Sequence, residues 1–235
     1  MENYINKVIQ GDCLEVMKGI PDKSVDMVLT DPPYLITGNG FKARGGFLGE
    51  RAVISNIENI KDGFDFEVLK EMERVCKKIN FYIYCNKNLL CDLIVYYKNH
   101  SKKLFIDILT EHIKNPTPFC NNTYLNDTDY ILYVRESGVN VRGKYADKIK
   151  YKIKTTNTRD KKLYNHPTCK YPELLENYII NSTNENDIIL DPFAGSGTTG
   201  VACKNLNRNY ILIEKEPEYV KICNDRLGII RLVNN

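Results

Sequence analysis

The sequence predicts an α/β protein: an open, mostly parallel sheet with helices on both faces. Three observations carry that expectation. Short apolar runs alternate with amphipathic stretches along most of the chain. One apolar run stops at Asp31-Pro32-Pro33-Tyr34, and another passes through a glycine-rich turn into a helix start. Val25–Thr30 reads as a strand that must end at its two prolines, which cannot continue a hydrogen-bonded ladder. Leu35–Gly63, with six glycines, reads as a long loop of the kind that carries function. Phe66, Leu69, Met72, Glu73 and Cys76 fall at helical spacing, and Ile79–Cys85 reads as a strand. Leu89–Tyr97 is helical, Leu104–Leu109 extended and Asp129–Val134 a further strand. A basic stretch without apolar period follows, then an amphipathic helix at Tyr171–Ile180 and a buried strand at Ile188–Leu190. Ala202–Leu206 lies in the next helix, Tyr210–Ile213 is a strand and Glu216–Leu227 a final helix.

The 235 residues are expected to form one domain spanning 1–235, large enough to bury roughly 70% of the unfolded surface. With 43% hydrophobic and 27% charged residues the chain is neither disordered nor fibrous. No apolar run approaches the roughly 18 residues of a membrane span, and the polar start is no signal peptide. Eight cysteines without a C-x-x-C and only three histidines argue against a metal site or a secreted disulfide framework. A reducing cytoplasm is the expected location, with Cys13 and Cys169 as small buried thiols and His100 and His112 on element surfaces.

Charge is localised. Nine basic and two acidic residues lie between Arg142 and Lys162, a net +7 that leaves the rest of the chain at −4 against a total of +3. A mildly acidic body with one basic stretch, about 138–165, reads as a polyanion contact or as a solvated lysine-rich loop.

Chemistry concentrates at two strand ends. Ile188–Gly200 is a strand, a turn and a helix start containing Gly195, Gly197 and Gly200 in G-x-G-x-x-G spacing, without the lysine of a phosphate-binding loop. Glu214 ends the next strand 19 residues after Gly195, where a ribose-binding acid belongs. Asp191, immediately before the turn, would repel a pyrophosphate at the helix N-terminus. S-adenosylmethionine carries no phosphate and offers an ammonium and a sulfonium to a carboxylate, so Asp191 and Glu214 favour it. At the other end, Asp31 and a proline carbonyl supply acceptors that localise the lone pair of an exocyclic amine. Tyr34 offers a face on which an extruded base stacks.

On these residues the sequence resembles the amino-methylating DNA methyltransferases, adenine-N6 branch. Asp31-Pro32-Pro33-Tyr34 resembles that family's catalytic motif, and Asp191-Pro192-Phe193-Ala194-Gly195-Ser196-Gly197 its cofactor motif, in the permuted β-type order with a basic stretch between. The resemblance implies a seven-stranded Rossmann-like sheet and S-adenosylmethionine as methyl donor, with no metal. It implies catalytic roles for Asp31, Pro32, Pro33 and Tyr34. Cofactor contacts are implied for Asp12, Cys13, Asp31, Thr168, Lys170, Asp191, Phe193, Ala194, Gly195, Ser196, Gly197, Thr198, Glu214 and Lys215. His166-Pro167-Thr168-Cys169-Lys170 resembles the element that helps hold the methionine end, although Tyr171 intervenes before Pro172. Cytosine-N4 members more often carry serine at the position of Asp31. The expected activity is methylation of adenine N6 in DNA, in restriction–modification chemistry without a named endonuclease partner. The basic stretch, with Lys42, Arg44 and Arg51, is expected to hold DNA phosphates. Its shortness points to a short recognition site, modest selectivity, help from Leu35–Gly63, or a second subunit in a homodimer. A cytosine-N4 methyltransferase, a dinucleotide-dependent oxidoreductase and a non-catalytic DNA-binding relative are the alternatives.

Overall fold

The structure, a computed structural model, describes residues 1–33, 65–116, 118, 122, 124–155 and 170–228. Its first half contains β1 (Lys7–Gln10), α1 (Cys13–Lys18), β2 (Met27–Thr30), α2 (Glu67–Val75), β3 (Asn80–Cys85) and α3 (Lys87–Lys98). The second half contains β4 (Leu104–Ile113), β5 (Thr128–Glu136), β6 (Tyr151–Lys154), α4 (Pro172–Ser182), β7 (Ile188–Asp191), α5 (Thr198–Asn205), β8 (Asn209–Glu214) and α6 (Pro217–Leu227). These strands form one sheet in the order β1-β8-β7-β2-β3-β5-β4-β6, in which only β5 runs antiparallel.

Local chemistry explains the element ends. Asp12 caps α1 by accepting from the amides of Leu14 and Glu15, and Asn86 caps α3 through Leu89. Pro172 and Pro217 open α4 and α6, where a missing N–H costs nothing. Gly228 closes α6 in the left-handed conformation at φ +71°.

Strand periodicity sorts the core into two layers. Val28, Phe81, Ile83, Leu132, Val134, Ile211 and Ile213 pack under α1, α2 and α3. Met27, Leu29, Tyr82, Tyr84, Ile131, Tyr133 and Leu212 pack under α4, α5 and α6. The chain leaves β2 towards β3 over one face and leaves β7 towards β8 over the other. The neighbours β2 and β7 therefore flank a topological switch point, and a crevice opens at their carboxyl ends.

The fold class matches the sequence expectation, but the described residues contain eight strands rather than seven. The edge strand β1, with only Val8 and Ile9 apolar, gives little periodic signal. β6 comes from the basic stretch and inverts the usual pattern: Lys152 and Lys154 are half-buried while Tyr151 and Ile153 face solvent. His100, just past the end of α3, is half-buried, with its Nε2 3.1 Å from Glu73 Oε2. Leu35–Gly63 lies outside the described residues. Among those described, no helix is long and apolar enough to cross a membrane.

Candidate active site

Register places the two predicted strand ends side by side. Val28 pairs with Leu190, so Thr30-Asp31 leaves β2 beside Asp191 at the end of β7. The Thr30 hydroxyl donates to Asp191 Oδ1 at 2.8 Å, the Thr199 hydroxyl to Oδ2 at 2.6 Å, and the Phe193 amide to Oδ1 at 3.2 Å. Asp191 is only 4% exposed. Burial pushes its carboxyl up to about 6, against the pull of the Thr199, Thr30 and Phe193 bonds, and the charge of Asp31 raises it further.

Around these ends lies an open cleft of about 450 Å³, lined by Asp31, Tyr84, Lys170, Asp191, Phe193 and the turn Ala194–Ser196, among others. The Lys170 ammonium sits 3.1 Å from Asp31 Oδ2 and 3.5 Å from Asp129 Oδ2, over the face of Tyr84 at 4.1 Å.

The turn after β7 is held from three sides. Gly195 and Gly197 have φ of +52° and +74°. The Gly195 amide donates to Glu214 Oε2 at 2.7 Å, and the Cys223 thiol to the Gly195 carbonyl at 3.1 Å. Arg226 Nη1 donates to the Ser196 carbonyl at 2.7 Å, to Ser196 Oγ at 2.9 Å and to Thr198 Oγ1 at 3.0 Å. A Cβ at Gly197 would lie 3.0 Å from Cys223 Sγ. Gly197→Ala is therefore expected to cost about 1–2 kcal/mol of stability from the left-handed backbone alone. It should also weaken cofactor binding, read by thermal melting and calorimetry; an unchanged melting temperature would show that the turn relaxes.

The model of a DNA methylase family, the N6/N4 methyltransferases, matches residues 25–225 and so spans both strand ends and everything between them. The chain belongs to this family. Among relatives of this DNA methyltransferase, the type II methyltransferase M2.LlaDCHI of Lactococcus lactis subsp. cremoris is 31% identical, over 97% of this chain and 90% of that one. The type II methyltransferase M2.DpnII of Streptococcus pneumoniae is 32% identical, over 95% and 91%. Among solved structures, the M1.HpyAVI–SAM complex superimposes with a TM-score of 0.72 at 26% identity, over 94% of this chain and 98% of that one.

Not every residue singled out in the sequence lines the cleft of this methyltransferase. Asp31, Lys170, Asp191, Phe193, Ala194, Gly195, Ser196 and Thr198 do. Pro32 is buried and Pro33 half-buried beside Asp31, while Tyr34 and Thr168 lie outside the described residues. Asp12, Cys13, Glu214 and Lys215 sit on the far side of the glycine turn, where the Gly11 amide donates to the Glu214 carbonyl at 3.0 Å. The Cys13 thiol is pushed up to about 12 by burial and by Asp12, which makes it inert.

Two of these carboxylates are already engaged within the fold. Asp191 takes two donors on Oδ1 and one on Oδ2, which leaves Oδ2 one acceptor site. Glu214 is held likewise: Oε2 takes the Gly195 amide at 2.7 Å and Oε1 the Glu216 amide at 2.9 Å.

The basic stretch is also less available to a polyanion than its charge suggests. Lys150 pairs with Asp107, and Lys154 pairs at 2.6 Å with both Glu111 and Asp129. Arg159, Lys161 and Lys162 lie outside the described residues. Thr30, Thr199, Asp129, Glu111, Tyr84 and Arg226 went unnoticed in the sequence. Only the threonines carried a local signal, one ending a strand and the other opening a helix beside a motif.

Proposed function

We propose that this chain transfers a methyl group from S-adenosylmethionine to the exocyclic N6 of adenine in DNA, with Asp31 holding the target amine. The observation that carries this reading is the Thr30–Asp191 hydrogen bond across adjacent parallel strands, which fixes the two motif ends against one cleft. The aspartate at position 31 favours adenine over cytosine. The type II relatives favour a place in restriction–modification, and the solved SAM complex supports the donor.

The residues present fit a cationic, phosphate-free ligand better than a dinucleotide. The Gly195 amide, which a pyrophosphate would need, is spent on Glu214. Carboxylates stand on both sides of the turn. When bound, S-adenosylmethionine supplies an activated methyl on sulfonium whose departure leaves a neutral thioether. Asp191, Phe193 and the Ala194–Thr198 turn would hold it, with Glu214, Asp12, Cys13 and Lys215 towards its adenosine end. Asp31 accepts one N–H of the target amine and the Pro32 carbonyl the other, which turns the nitrogen lone pair towards the methyl. Tyr34 stacks on the everted base. The amine proton departs after the N–C bond forms, so rate comes from position and fixed acceptors rather than from a strong base. Residues about 138–165, as part of a single 1–235 domain, would meet the DNA through Lys144, Lys148 and the exposed Tyr145, Tyr151 and Ile153.

The direct test incubates the protein with DNA and methyl-labelled S-adenosylmethionine, then digests the DNA to nucleosides. Label in N6-methyladenine is the expected result. Label in N4-methylcytosine would move the chain to the other branch, and no label would remove the proposed activity.

A further inference from the structure

Behind the cleft lies a closed ring of polar side chains that the proposed chemistry does not use directly. Lys170, placed just before α4, faces Asp31 and Asp129. Asp129 of β5 shares its Oδ2 with Lys154 at the end of β6, and Lys154 also binds Glu111 of β4. Glu111 accepts the Tyr84 hydroxyl at 2.6 Å and the Tyr178 hydroxyl at 3.1 Å. Tyr84 of β3 returns to the start, because its ring lies under Lys170. Charges alternate around the path from Asp31(−) through Lys170(+), Asp129(−) and Lys154(+) to Glu111(−).

Such an arrangement is a poor choice for stability alone. Glu111 is 0% exposed and the Lys154 side chain 10% exposed, and apolar groups of the same volume often hold such positions as well or better. Its position suggests a different use. Asp31 and Lys170 line the cleft, and Asp129 competes with Asp31 for the same ammonium over 3.5 Å against 3.1 Å. Burial alone would raise the Asp129 carboxyl, but the charges of Lys170 and Lys154 outweigh it and hold that carboxyl below its ordinary value. Lys154, itself anchored by Glu111, thus satisfies Asp129 and leaves Lys170 to Asp31.

We infer that Lys154, Asp129 and Glu111 are positioning residues for the reaction: they hold the Lys170 ammonium on one oxygen of Asp31, so that the other oxygen faces the target amine. This rests on the role proposed for Asp31 and extends it to a strand contributed by the basic stretch. The ring makes β6 part of the catalytic apparatus, so the segment expected to meet DNA also sets the orientation of the acceptor.

The test uses steady-state methylation of DNA by the full chain, with melting temperature and calorimetric cofactor affinity measured in parallel. Lys154→Met is expected to lower kcat roughly tenfold or more with cofactor affinity unchanged within about twofold, and Lys154→Arg to return kcat to within about threefold of the parent. In an Asp129→Asn background the competing carboxylate is gone, so adding Lys154→Met should cost no more than about threefold. That comparison also serves if Lys154→Met alone melts too low to assay. A further loss of about tenfold in that background would reduce the ring to scaffolding. So would a Lys154→Met enzyme that keeps the parent kcat while Asp31→Ala is inactive. An active Asp31→Ala enzyme would instead remove the role of Asp31 itself.

Discussion

Asp31→Ala is expected to abolish most methyl transfer, by about 10²–10³-fold or more in kcat, while S-adenosylmethionine still binds. The carboxylate stands at the end of β2, where Lys170 engages Oδ2 at 3.1 Å. Its removal strips the amine of the acceptor that directs its lone pair, an interaction that matters most as the N–C bond forms. The surrounding cofactor turn should be undisturbed, because its bonds run to Glu214, Cys223 and Arg226 rather than to Asp31. A loss confined to kcat, with calorimetric affinity for the methyl donor preserved, is the outcome that fits. Retention of substantial activity would show that the Pro32 carbonyl and base stacking suffice.

Asp191→Asn is expected to do two opposite things: stabilise the unliganded protein at neutral pH and impair its use of the cofactor. Folding places this carboxyl where only 4% of it is exposed and where burial raises its proton affinity to about 6. The native state therefore binds more protons than the unfolded chain between about pH 4 and 6. The stability contributed by neutral Asp191 is present below that window and lost as pH rises through about 6. The cost of keeping it ionised at pH 7.5 is of the order of 3 kcal/mol. Asparagine keeps the carbonyl acceptor for Thr30 and Phe193, reverses the Thr199 contact so that the amide donates to the hydroxyl, and removes the charge, so its melting temperature at pH 7.5 should exceed the parent's. The difference should shrink towards pH 4. Loss of a charge-assisted contact to a cationic ligand should weaken cofactor affinity roughly tenfold or more. A variant that melts lower at pH 7.5 would mean that the ionised form is better compensated in the fold than its burial implies. The tension is physical: burial disfavours the ionised form of the same carboxylate that the proposed function sets against a cation.

Both motif ends were readable because they are local. Asp31-Pro32-Pro33 must stop a strand whatever surrounds it, and Ile188–Gly200 turns at Gly195 and Gly197, which take left-handed backbone without steric cost. The alternation of strands and helices follows from hydrophobic period, and with it the mostly parallel sheet. β6 was not readable, because Tyr-Lys-Ile-Lys shows its apolar residues to solvent and its lysines to Glu111 and Asp129, partners 43 and 25 residues away from Lys154. Glu214 was correctly placed at a strand end, yet its bonds to the Gly195 and Glu216 amides depend on how β8 docks beside β7.

The fold class, the two carboxylate-tipped strand ends and the glycine turn are written in the chain, because each depends on backbone preferences and spacing within a few residues. That Thr30 and Thr199 clamp Asp191, that Arg226 braces the turn and that Lys154 belongs to a buried ring rather than to a solvated basic face emerges when the strands assemble. Those contacts join residues far apart in the chain, and a charge reveals whether it is paired or free only once strand order has set what stands opposite it.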